Sequence, residues 1–443
     1  MKILLIQPED TKSSILKLPF RPLTLELLAA YLDGHEVDVF DMRVDPTPLA
    51  QKLAAFQPRL VGITCPFSMT VPTVARLITQ VKAARPEACV VVGGVHPSLL
   101  PHDFEASAPD VIVNGAGEHV LPEVAAALEQ GRALSEVKGL HLREGGRFRS
   151  TGAAAQPYDL KAFRVPARQL TQKYVDRYPR SFKGQRTALT VATRGCPYRC
   201  NFCAAWKVQG GKYLMREVDN IYAELETIDD ELIYFFDDNA FGNAARMKEL
   251  ALRITARGLA KDFQMWASAD AIAAHEDLIE AWAAAGLKRL FVGFESCDDE
   301  QLRGYNKRAT VATNERAFEL LAKHKVDLSP TFIVRPDFTD ADFTRLGEYL
   351  VAHRFLMPYT LIYTPLPGTA LWEQHQAELI TRDHEHFDLM HLTLEPTHLS
   401  RSAFMTRFTA LYLENPTWQA VAQKMPAARE MLENLTALRA MYA

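Results

Sequence analysis

The chain has 443 residues, of which 48% are hydrophobic and 23% are charged. Its 50 lysines and arginines nearly balance 54 aspartates and glutamates, so the formal charge is −4. This composition is typical of a globular protein with two or three domains, and it excludes a strongly basic surface for nucleic acid. No apolar stretch is long enough to span a bilayer, and six cysteines are too few for a disulfide scaffold. We expect a reduced, cytoplasmic setting and no secretion signal in MKILLIQPED.

The first part of the chain alternates short apolar runs with amphipathic segments. The apolar runs include KILLIQP, RLVGITCP and ACVVVGG, and the segments between them include TVPTVARLITQVKAARP. This alternation predicts an α/β domain with a doubly wound, Rossmann-like parallel sheet. We place the domain at residues 1–138.

The alternating pattern weakens over residues 139–185, which we interpret as a linker containing one hairpin turn, REGGRFRS. From TALTVATRG onward a second series of about six βα units follows. Six units are fewer than the eight of a complete parallel barrel, so we predict a partial (β/α)6 barrel over residues 186–395. A helical region is predicted at 396–443. We expect its helices to pack on the flank of the barrel, although a cap over the barrel fits the sequence too. The histidines near its start, His384, His386 and His391, have no spacing that is typical of a metal site.

A cysteine cluster follows the first strand of this second series. The stretch TRGCPYRCNFC places Cys196, Cys200 and Cys203 within eight positions. Loops after strand carboxyl ends build the active sites of parallel barrels. Three thiolates can hold an iron–sulfur cube with one iron left open, whereas structural zinc normally takes four ligands. The other cysteines are scattered and are interpreted as structural: Cys65, Cys89 and Cys297.

The stretch CPYRCNFC resembles the signature of radical S-adenosylmethionine (SAM) enzymes. The resemblance covers about residues 186–400. It implies a [4Fe-4S] cluster on the three cysteines, with SAM bound at the open iron. It further implies reductive cleavage of SAM to a 5′-deoxyadenosyl radical, which takes a hydrogen atom from a substrate. An external one-electron donor such as flavodoxin or ferredoxin is implied as well.

Polar residues at predicted strand ends fit the SAM site of the same family. YFFDDNAFGN carries Asp-Asp-Asn where relatives often have Gly-Gly-Glu, and YNKRAT, with Asn306 and Lys307, resembles a recurrent motif. For these polar residues helix capping is the alternative, and for Arg335 an ion pair at the surface is equally favoured. The resemblance implies SAM contacts by Phe202, Asp238, Asn239, Ser268, Glu295, Ser296 and Arg335.

The strand ends of the first domain carry glycines, in VVGGVHPS and VNGAGE. Ligands of open α/β sheets bind outside the carboxyl ends of the strands, where glycine permits close approach. The G-x-G-x-x-G dinucleotide fingerprint is missing. These segments resemble the cobalamin-binding domain that precedes the barrel in one radical SAM subgroup. The resemblance implies cobalamin contacts by Thr64, Ser68, Gly93, Gly94, His96, Gly115 and Glu118.

The ligand of cobalt is a separate question. His96 is a candidate, but a loop histidine bonded to backbone is favoured. The D-x-H-x-x-G motif of many cobalamin proteins should follow the first strand, yet PEDTKSSIL lacks it and DGHEVD is only a near match. We therefore expect no histidine from that motif on cobalt.

Three functions are compatible with these sequence features. The favoured one is cobalamin-dependent methyl transfer to an unactivated carbon of a small-molecule or lipid-like substrate. The alternative keeps the radical chemistry but ends in ring formation, ring contraction, dehydration or oxidation, with a first domain that is vestigial for cobalamin. A carrier without catalysis is disfavoured, because a carrier does not need an open iron within a barrel.

Overall fold

The computed structural model describes residues 1–11, 15, 20–154, 160–161, 163–181 and 183–443. Contacts divide the chain into two compact units. The first comprises Met1–Ser14 and Leu18–Pro179, and the second comprises Ile15–Lys17 and Arg180–Ala443.

The first unit is an α/β sheet domain. Its strands are β1 (Lys2–Gln7), β2 (Glu36–Asp41), β3 (Leu60–Thr64), β4 (Cys89–Gly93), β5 (Val111–Val113), β6 (Leu140–Glu144) and β7 (Arg147–Ser150). Its helices are α1 (Leu23–Ala30), α2 (Leu49–Phe56), α3 (Val71–Ala84), α4 (Val95–Leu99) and α5 (Gly117–Gln130). Among the described residues the strand order is β2-β1-β3-β4-β5-β6-β7. The first five strands in this order pair in parallel.

Both faces of this sheet are covered, as the Val-rich sequence of β4 predicts. Val90 and Val92 belong to one apolar core, and Val91 belongs to a second core on the other face. The chain order reverses between β1 and β3, and such a switch point opens a crevice at the carboxyl ends of the strands. The predicted doubly wound sheet is confirmed.

Residues 139–150 differ from the linker expected there. The predicted hairpin turn forms at Gly145 and Gly146, but its two arms, β6 and β7, extend the sheet antiparallel to β5. Their backbone groups complete the edge of the sheet, which alternation of apolar residues alone did not indicate. The QPYDLKAF part of the predicted linker lies largely outside the described residues.

The second unit contains the other strands and helices. Its strands are β8 (Thr187–Thr190), β9 (Thr193–Arg194), β10 (Leu214–Met215), β11 (Leu232–Phe235), β12 (Asp262–Ser268), β13 (Leu287–Glu295), β14 (Asp327–Val334) and β15 (Tyr359–Ile362). Its helices are α6 (Ala205–Val208), α7 (Val218–Glu226), α8 (Ala244–Ala256), α9 (Ala269–Ala274), α10 (Glu276–Ala285), α11 (Asp299–Gly304), α12 (Val311–Lys323), α13 (Asp340–His353), α14 (Ala370–His375), α15 (Arg401–Leu413), α16 (Pro416–Ala422) and α17 (Pro426–Met441).

Six of these strands form a parallel half-barrel. In the described part of the chain their order is β15-β14-β13-β12-β11-β8. Alternate side chains of each strand point outward into the core shared with the helices; Phe235 and Phe263, for example, pack on Trp282 of α10. The remaining side chains point into the half-barrel. This architecture confirms the predicted partial barrel.

The C-terminal helices pack on the flank of the half-barrel, as expected from the sequence. The Tyr412 hydroxyl accepts a hydrogen bond from the Thr360 amide at 2.8 Å and donates one to the Thr360 carbonyl. The Trp418 indole donates to the carbonyl of Pro358 at 2.8 Å. These bonds satisfy backbone groups in β15 and just before it, and β15 is one of the two edge strands of this sheet.

No helix in the described residues combines the length and the apolar character needed to cross a membrane.

Candidate active site

The three clustered cysteines lie on one loop at the carboxyl end of β8. A short antiparallel pair, β9 with β10, begins the loop. Between them Gly195 has φ +78°, and a Cβ atom there would lie 2.3 Å from the carbonyl oxygen of Lys212. Only glycine fits this turn without displacement of the backbone, so Gly195 sets the path of the chain into Cys196.

A neighbouring segment, Gly304–Lys307, holds both sides of Cys200. The Asn201 amide nitrogen donates to the Tyr305 carbonyl at 3.2 Å, and its side chain donates to the Gly304 carbonyl at 2.8 Å. On the other side, the Asn306 side chain donates to the Arg199 carbonyl at 2.9 Å. The loop is thereby fixed to the end of α11.

Burial makes the three thiols poor acids and outweighs the Lys307 ammonium, which lowers the pKa of Cys196 and Cys200. Burial raises the pKa of Cys203 to about 12 and raises the pKa of Cys196 and Cys200 as well. Buried thiolates of this kind need a metal to compensate their charge. Three thiols on a fixed loop therefore fit the donor set of an iron–sulfur cluster with an open iron.

Two aspartates at the end of β11 brace this loop. Asp237 is buried and accepts hydrogen bonds from the backbone of Ala192 and from the backbone and hydroxyl of Thr193. Asp238 accepts one from the Gly195 amide at 2.8 Å. Burial, opposed by these hydrogen bonds, raises the pKa of Asp237 to about 6, and burial raises the pKa of Asp238 too.

Asn239 and Ser268 meet beside the cysteine loop. The Asn239 amide donates to the Ser268 hydroxyl at 3.4 Å and is within hydrogen-bonding reach of Cys196. The side-chain oxygen of Asn239 is buried and has no partner among the described residues. Neither side chain caps the helix that follows it. A buried amide oxygen without a partner fits a site that receives a polar ligand.

Glu295 forms a buried ion pair. Its Oε1 lies 2.9 Å from Nζ of Lys307, and the two side chains are 8% and 9% exposed. Glu295 has φ +64°, an uncommon conformation for a residue with a side chain, at a bulge where β13 ends. The strained backbone turns the carboxylate toward Lys307.

The remaining predicted SAM residues have partners of their own. The Phe202 ring packs edge-on against Tyr305 with 5.7 Å between centroids. The Ser296 hydroxyl donates to Gln301 at 2.7 Å. Arg335 forms a bidentate ion pair with Asp337 at 2.8 and 2.6 Å, which is the alternative that the sequence left open. The SAM contact of Arg335 stays a prediction.

Two residues of this site were not singled out from the sequence. The Tyr198 hydroxyl donates to Asp270 at 2.5 Å and lies 3.5 Å from the Ser268 hydroxyl. The Tyr213 hydroxyl donates to the Asn239 carbonyl at 3.0 Å. Tyr198 lies between the first two cysteines, so its position in CPYRC was the available signal.

A second group of predicted residues lies at the carboxyl ends of the strands of the first unit. Thr64 ends β3, Gly93 ends β4, and Gly115 follows β5. A Cβ atom added to Gly115 would meet nothing within 4 Å, so a ligand has room beside it. Gly94 is required by packing instead, because a Cβ there would lie 2.3 Å from the Cys65 carbonyl oxygen. Glu118 is buried in the first turn of α5.

His96 is held by side chains rather than by backbone. Its Nδ1 is 3.0 Å from the Ser68 hydroxyl and its Nε2 is 2.9 Å from Asp103. The ring is 2% exposed. Because both nitrogens are engaged within the first unit, coordination of cobalt would require one of these bonds to break. Small polar side chains and open space at a switch point nevertheless fit a bulky cofactor bound without a histidine ligand.

Two protein-family models match this chain. Residues 16–125 match the B12 binding domain, and residues 190–350 match the Radical SAM superfamily. The chain belongs to the radical SAM superfamily. This radical SAM enzyme carries a B12-binding domain ahead of the half-barrel, as its sequence predicted.

Its curated relatives include enzymes of two kinds. The hopanoid C-3 methylase of Methylococcus capsulatus is 27% identical over 95% of this chain and 82% of its own length. An anaerobic magnesium-protoporphyrin IX monomethyl ester cyclase of Synechocystis is 27% identical over 90% of this chain and 82% of its own length. The relatives therefore differ in reaction at similar distance from this chain.

Solved structures share the fold of this radical SAM enzyme. The methyltransferase TsrM of Kitasatospora setae has a TM-score of 0.70 at 21% identity, covering 86% of this chain and 77% of that one. The cobalamin-dependent enzyme OxsB has a TM-score of 0.73 at 17% identity, covering 100% of this chain and 71% of that one. Both span the two units of this enzyme.

The cofactors expected from the sequence agree with these families. A radical SAM domain uses a [4Fe-4S] cluster and SAM, and a B12-binding domain takes cobalamin.

Two of the histidines ahead of the C-terminal helices have local partners in the second unit. His391 pairs with Asp388 at 3.0 Å and stacks on His386 with centroids 4.7 Å apart.

Proposed function

We propose that this radical SAM enzyme is a cobalamin-dependent methyltransferase that acts on an unactivated carbon of a small-molecule or lipid-like substrate. The observation that supports the proposal is the pairing of a B12-binding domain with a loop that supplies three thiols, one fewer than full ligation of an iron–sulfur cube takes. When bound, the cluster would supply the electron that splits SAM into methionine and a 5′-deoxyadenosyl radical, and cobalamin would carry the methyl group.

The chain's own residues prepare the site for this chemistry. Cys196, Cys200 and Cys203 hold the cluster, and Asp238 keeps the Gly195 turn in place through its amide. The side-chain oxygen of Asn239 has no partner among the described residues. We assign this oxygen and the hydroxyl of Ser268 to binding of the amino group of SAM.

We assign the Glu295 carboxylate to binding of the ribose hydroxyls of SAM. The Lys307 ammonium, 2.9 Å away, orients this carboxylate, so that its oxygens accept hydrogen bonds from neutral donors. We assign Phe202, Ser296 and Arg335 to the rim of the same site. In the first unit we assign Thr64, Ser68, Gly93, Gly94, His96, Gly115 and Glu118 to the cradle of cobalamin. A one-electron donor such as flavodoxin or ferredoxin would reduce the cluster.

The test measures transfer of a labelled methyl group from SAM to the substrate. The full chain is reconstituted anaerobically with iron, sulfide and cobalamin, then given SAM with a deuterated methyl group, dithionite and a hopanoid lipid extract. We expect a lipid that gains the deuterated methyl group, together with S-adenosylhomocysteine and 5′-deoxyadenosine. Release of 5′-deoxyadenosine without S-adenosylhomocysteine would contradict methyl transfer. The Cys200→Ser variant is the control and should release neither.

Ring formation is the second candidate, because two kinds of relatives lie at the same distance. The cyclase relative has the same 27% identity to this chain as the methylase, over 90% rather than 95% of this chain. In that case the lipid or tetrapyrrole product loses hydrogen and gains no deuterium from SAM.

A further inference from the structure

A buried arginine lies on the inward face of the half-barrel. Arg289 belongs to β13, where Leu290 and Val292 point outward into the core, so Arg289 and Phe291 point inward. The outward side chains of this strand are buried, whereas Phe291 is partly exposed, as is Gln264, which faces inward opposite Arg289 on β12. Solvent therefore reaches the inward face next to Arg289.

Arg289 has no ion-pair partner in the part of the chain that the structure describes. It is 9% exposed, its Nε has no hydrogen-bond partner there, and its Nη1 lies 3.8 Å from the sulfur of Met357, a weak acceptor. Asp327, opposite Arg289 on β14, is exposed and makes no ion pair with it. Burial lowers the pKa of Arg289, and a buried guanidinium is unfavourable unless an anion compensates its charge.

Two other polar groups of this face do not compensate the charge. Glu295, further along β13, already pairs with Lys307 at 2.9 Å. Burial raises the pKa of Tyr359 on β15 to about 12, and the nearby Arg289 charge opposes this rise. The Tyr359 hydroxyl is therefore protonated at neutral pH and can donate to an anion but cannot replace one. Arg289 leaves an uncompensated positive charge on the inward face.

The guanidinium and its position indicate what binds there. Its planar set of N–H donors matches the two oxygens of a carboxylate or phosphate group, which it binds through paired hydrogen bonds. Gly293, which is opposite Ser268 of the assigned SAM site, lies about 13 Å beyond Arg289 along the strand. A molecule that reaches from Arg289 to the SAM site is therefore elongated and has its anionic group at one end.

We propose that Arg289 binds a carboxylate or phosphate group at one end of an elongated substrate, whose other end reaches the SAM site. This inference rests on the proposed function for the position of the reacting end. Binding of the anionic end is measured without a reductant and hence without turnover. A chain that binds no anion can still transfer a methyl group, and a chain that binds one can fail to do so, so the two failures are distinguishable.

The experiment compares two probes that differ in charge at one end, decanoate and decanol. Isothermal titration calorimetry gives the dissociation constant of each for the full chain, reconstituted with its cluster and cobalamin, with SAM and without dithionite. We expect the unaltered chain to bind decanoate about tenfold more tightly than decanol, because the carboxylate forms charge-assisted hydrogen bonds. Inorganic phosphate, which lacks the hydrocarbon chain, should bind more weakly than decanoate.

Variants then assign the effect to this side chain. Arg289→Met removes the charge, so it should weaken decanoate binding about tenfold and leave decanol binding unchanged. Arg289→Lys keeps the charge but loses the paired donors, so its affinity for decanoate should lie between the two. Arg316→Met, at an exposed position on α12, is the control and should bind decanoate like the unaltered chain.

A urea titration checks that each variant is folded. Arg289→Met should be at least as stable as the unaltered chain, because an apolar side chain replaces an uncompensated buried charge. Equal decanoate binding by Arg289→Met and the unaltered chain would overturn the proposal. So would decanol or inorganic phosphate that binds the unaltered chain as tightly as decanoate does, a comparison that needs no variant.

Discussion

At the scale of single residues, the cysteine loop is distinguished by what surrounds each thiol. Cys200 is fixed on both sides by Asn201 and Asn306, whereas Cys297 packs against the apolar core. We expect Cys200→Ser to lose most of the iron, sulfide and visible absorbance of the reconstituted chain, because two thiolates cannot retain a cube. Cys297→Ser, measured in parallel, should keep all three. Retention of iron by Cys200→Ser would contradict the assigned ligand set.

Asp237 should make the second unit less stable as the pH rises. Its pKa is raised to about 6, chiefly by burial. Folding therefore favours the protonated carboxyl at pH values between the ordinary pKa of an aspartate and about 6. The contribution of Asp237 to stability is complete below about pH 4 and is lost as the pH rises through 6. The loss is on the order of 3 kcal/mol.

The Asp237→Asn variant tests this sign. Because asparagine does not ionise, the free energy of unfolding should fall less between pH 5 and pH 7.5 than in the unaltered chain. Urea titrations at the two pH values give the comparison. Glu433→Gln, at an exposed position on α17, is the control and should leave the pH dependence as it is. An unchanged dependence in Asp237→Asn would contradict the raised pKa.

At the scale of elements, the edge strand β15 depends on one hydroxyl of α15. Tyr412 satisfies both the amide and the carbonyl of Thr360, and its side chain is fully buried. Tyr412→Phe would leave two buried backbone groups without partners, at a cost of about 2 kcal/mol in the free energy of unfolding. Urea titration and amide hydrogen exchange in β15 measure it. Tyr442→Phe, which removes one longer bond to Leu392, should cost less.

Elements were the level at which sequence patterns were most informative. The alternation of apolar runs predicted β1 to β5 and the six strands of the half-barrel, because the periodicity of helices and strands depends on neighbouring residues. The hairpin of β6 and β7 was assigned to a linker. Its strands are short and polar, and their place in the sheet depends on pairing with β5 rather than on their own pattern.

At the scale of the whole molecule, each unit has apolar cores of its own, so the two cofactor sites should load independently. We expect Gly115→Leu to lose cobalt, because the side chain fills the space beside the strand ends and strains a backbone with φ +91°, while its iron content stays unchanged. Cys200→Ser should show the reverse: little iron and normal cobalt. Metal analysis after reconstitution with both cofactors measures each ratio, and a urea titration checks that Gly115→Leu remains folded.

Loss of both metals in either variant would contradict independent loading. Full cobalt in a folded Gly115→Leu chain would contradict the cradle assigned to the first unit.

Local sequence patterns were sufficient to predict the two α/β units and the place of the cysteine loop after a strand, because these features depend on local spacing and on short periods. SAM and cobalamin were implied by the resemblance of two sets of motifs to radical SAM enzymes and to cobalamin-binding domains. Three further features depend on tertiary packing: Lys307 pairs with Glu295 in the interior, both nitrogens of His96 are engaged, and the rings of Tyr234 and Trp266 stack on that of Phe291. Most of these contacts join segments tens of residues apart, and strand register and loop packing bring them together.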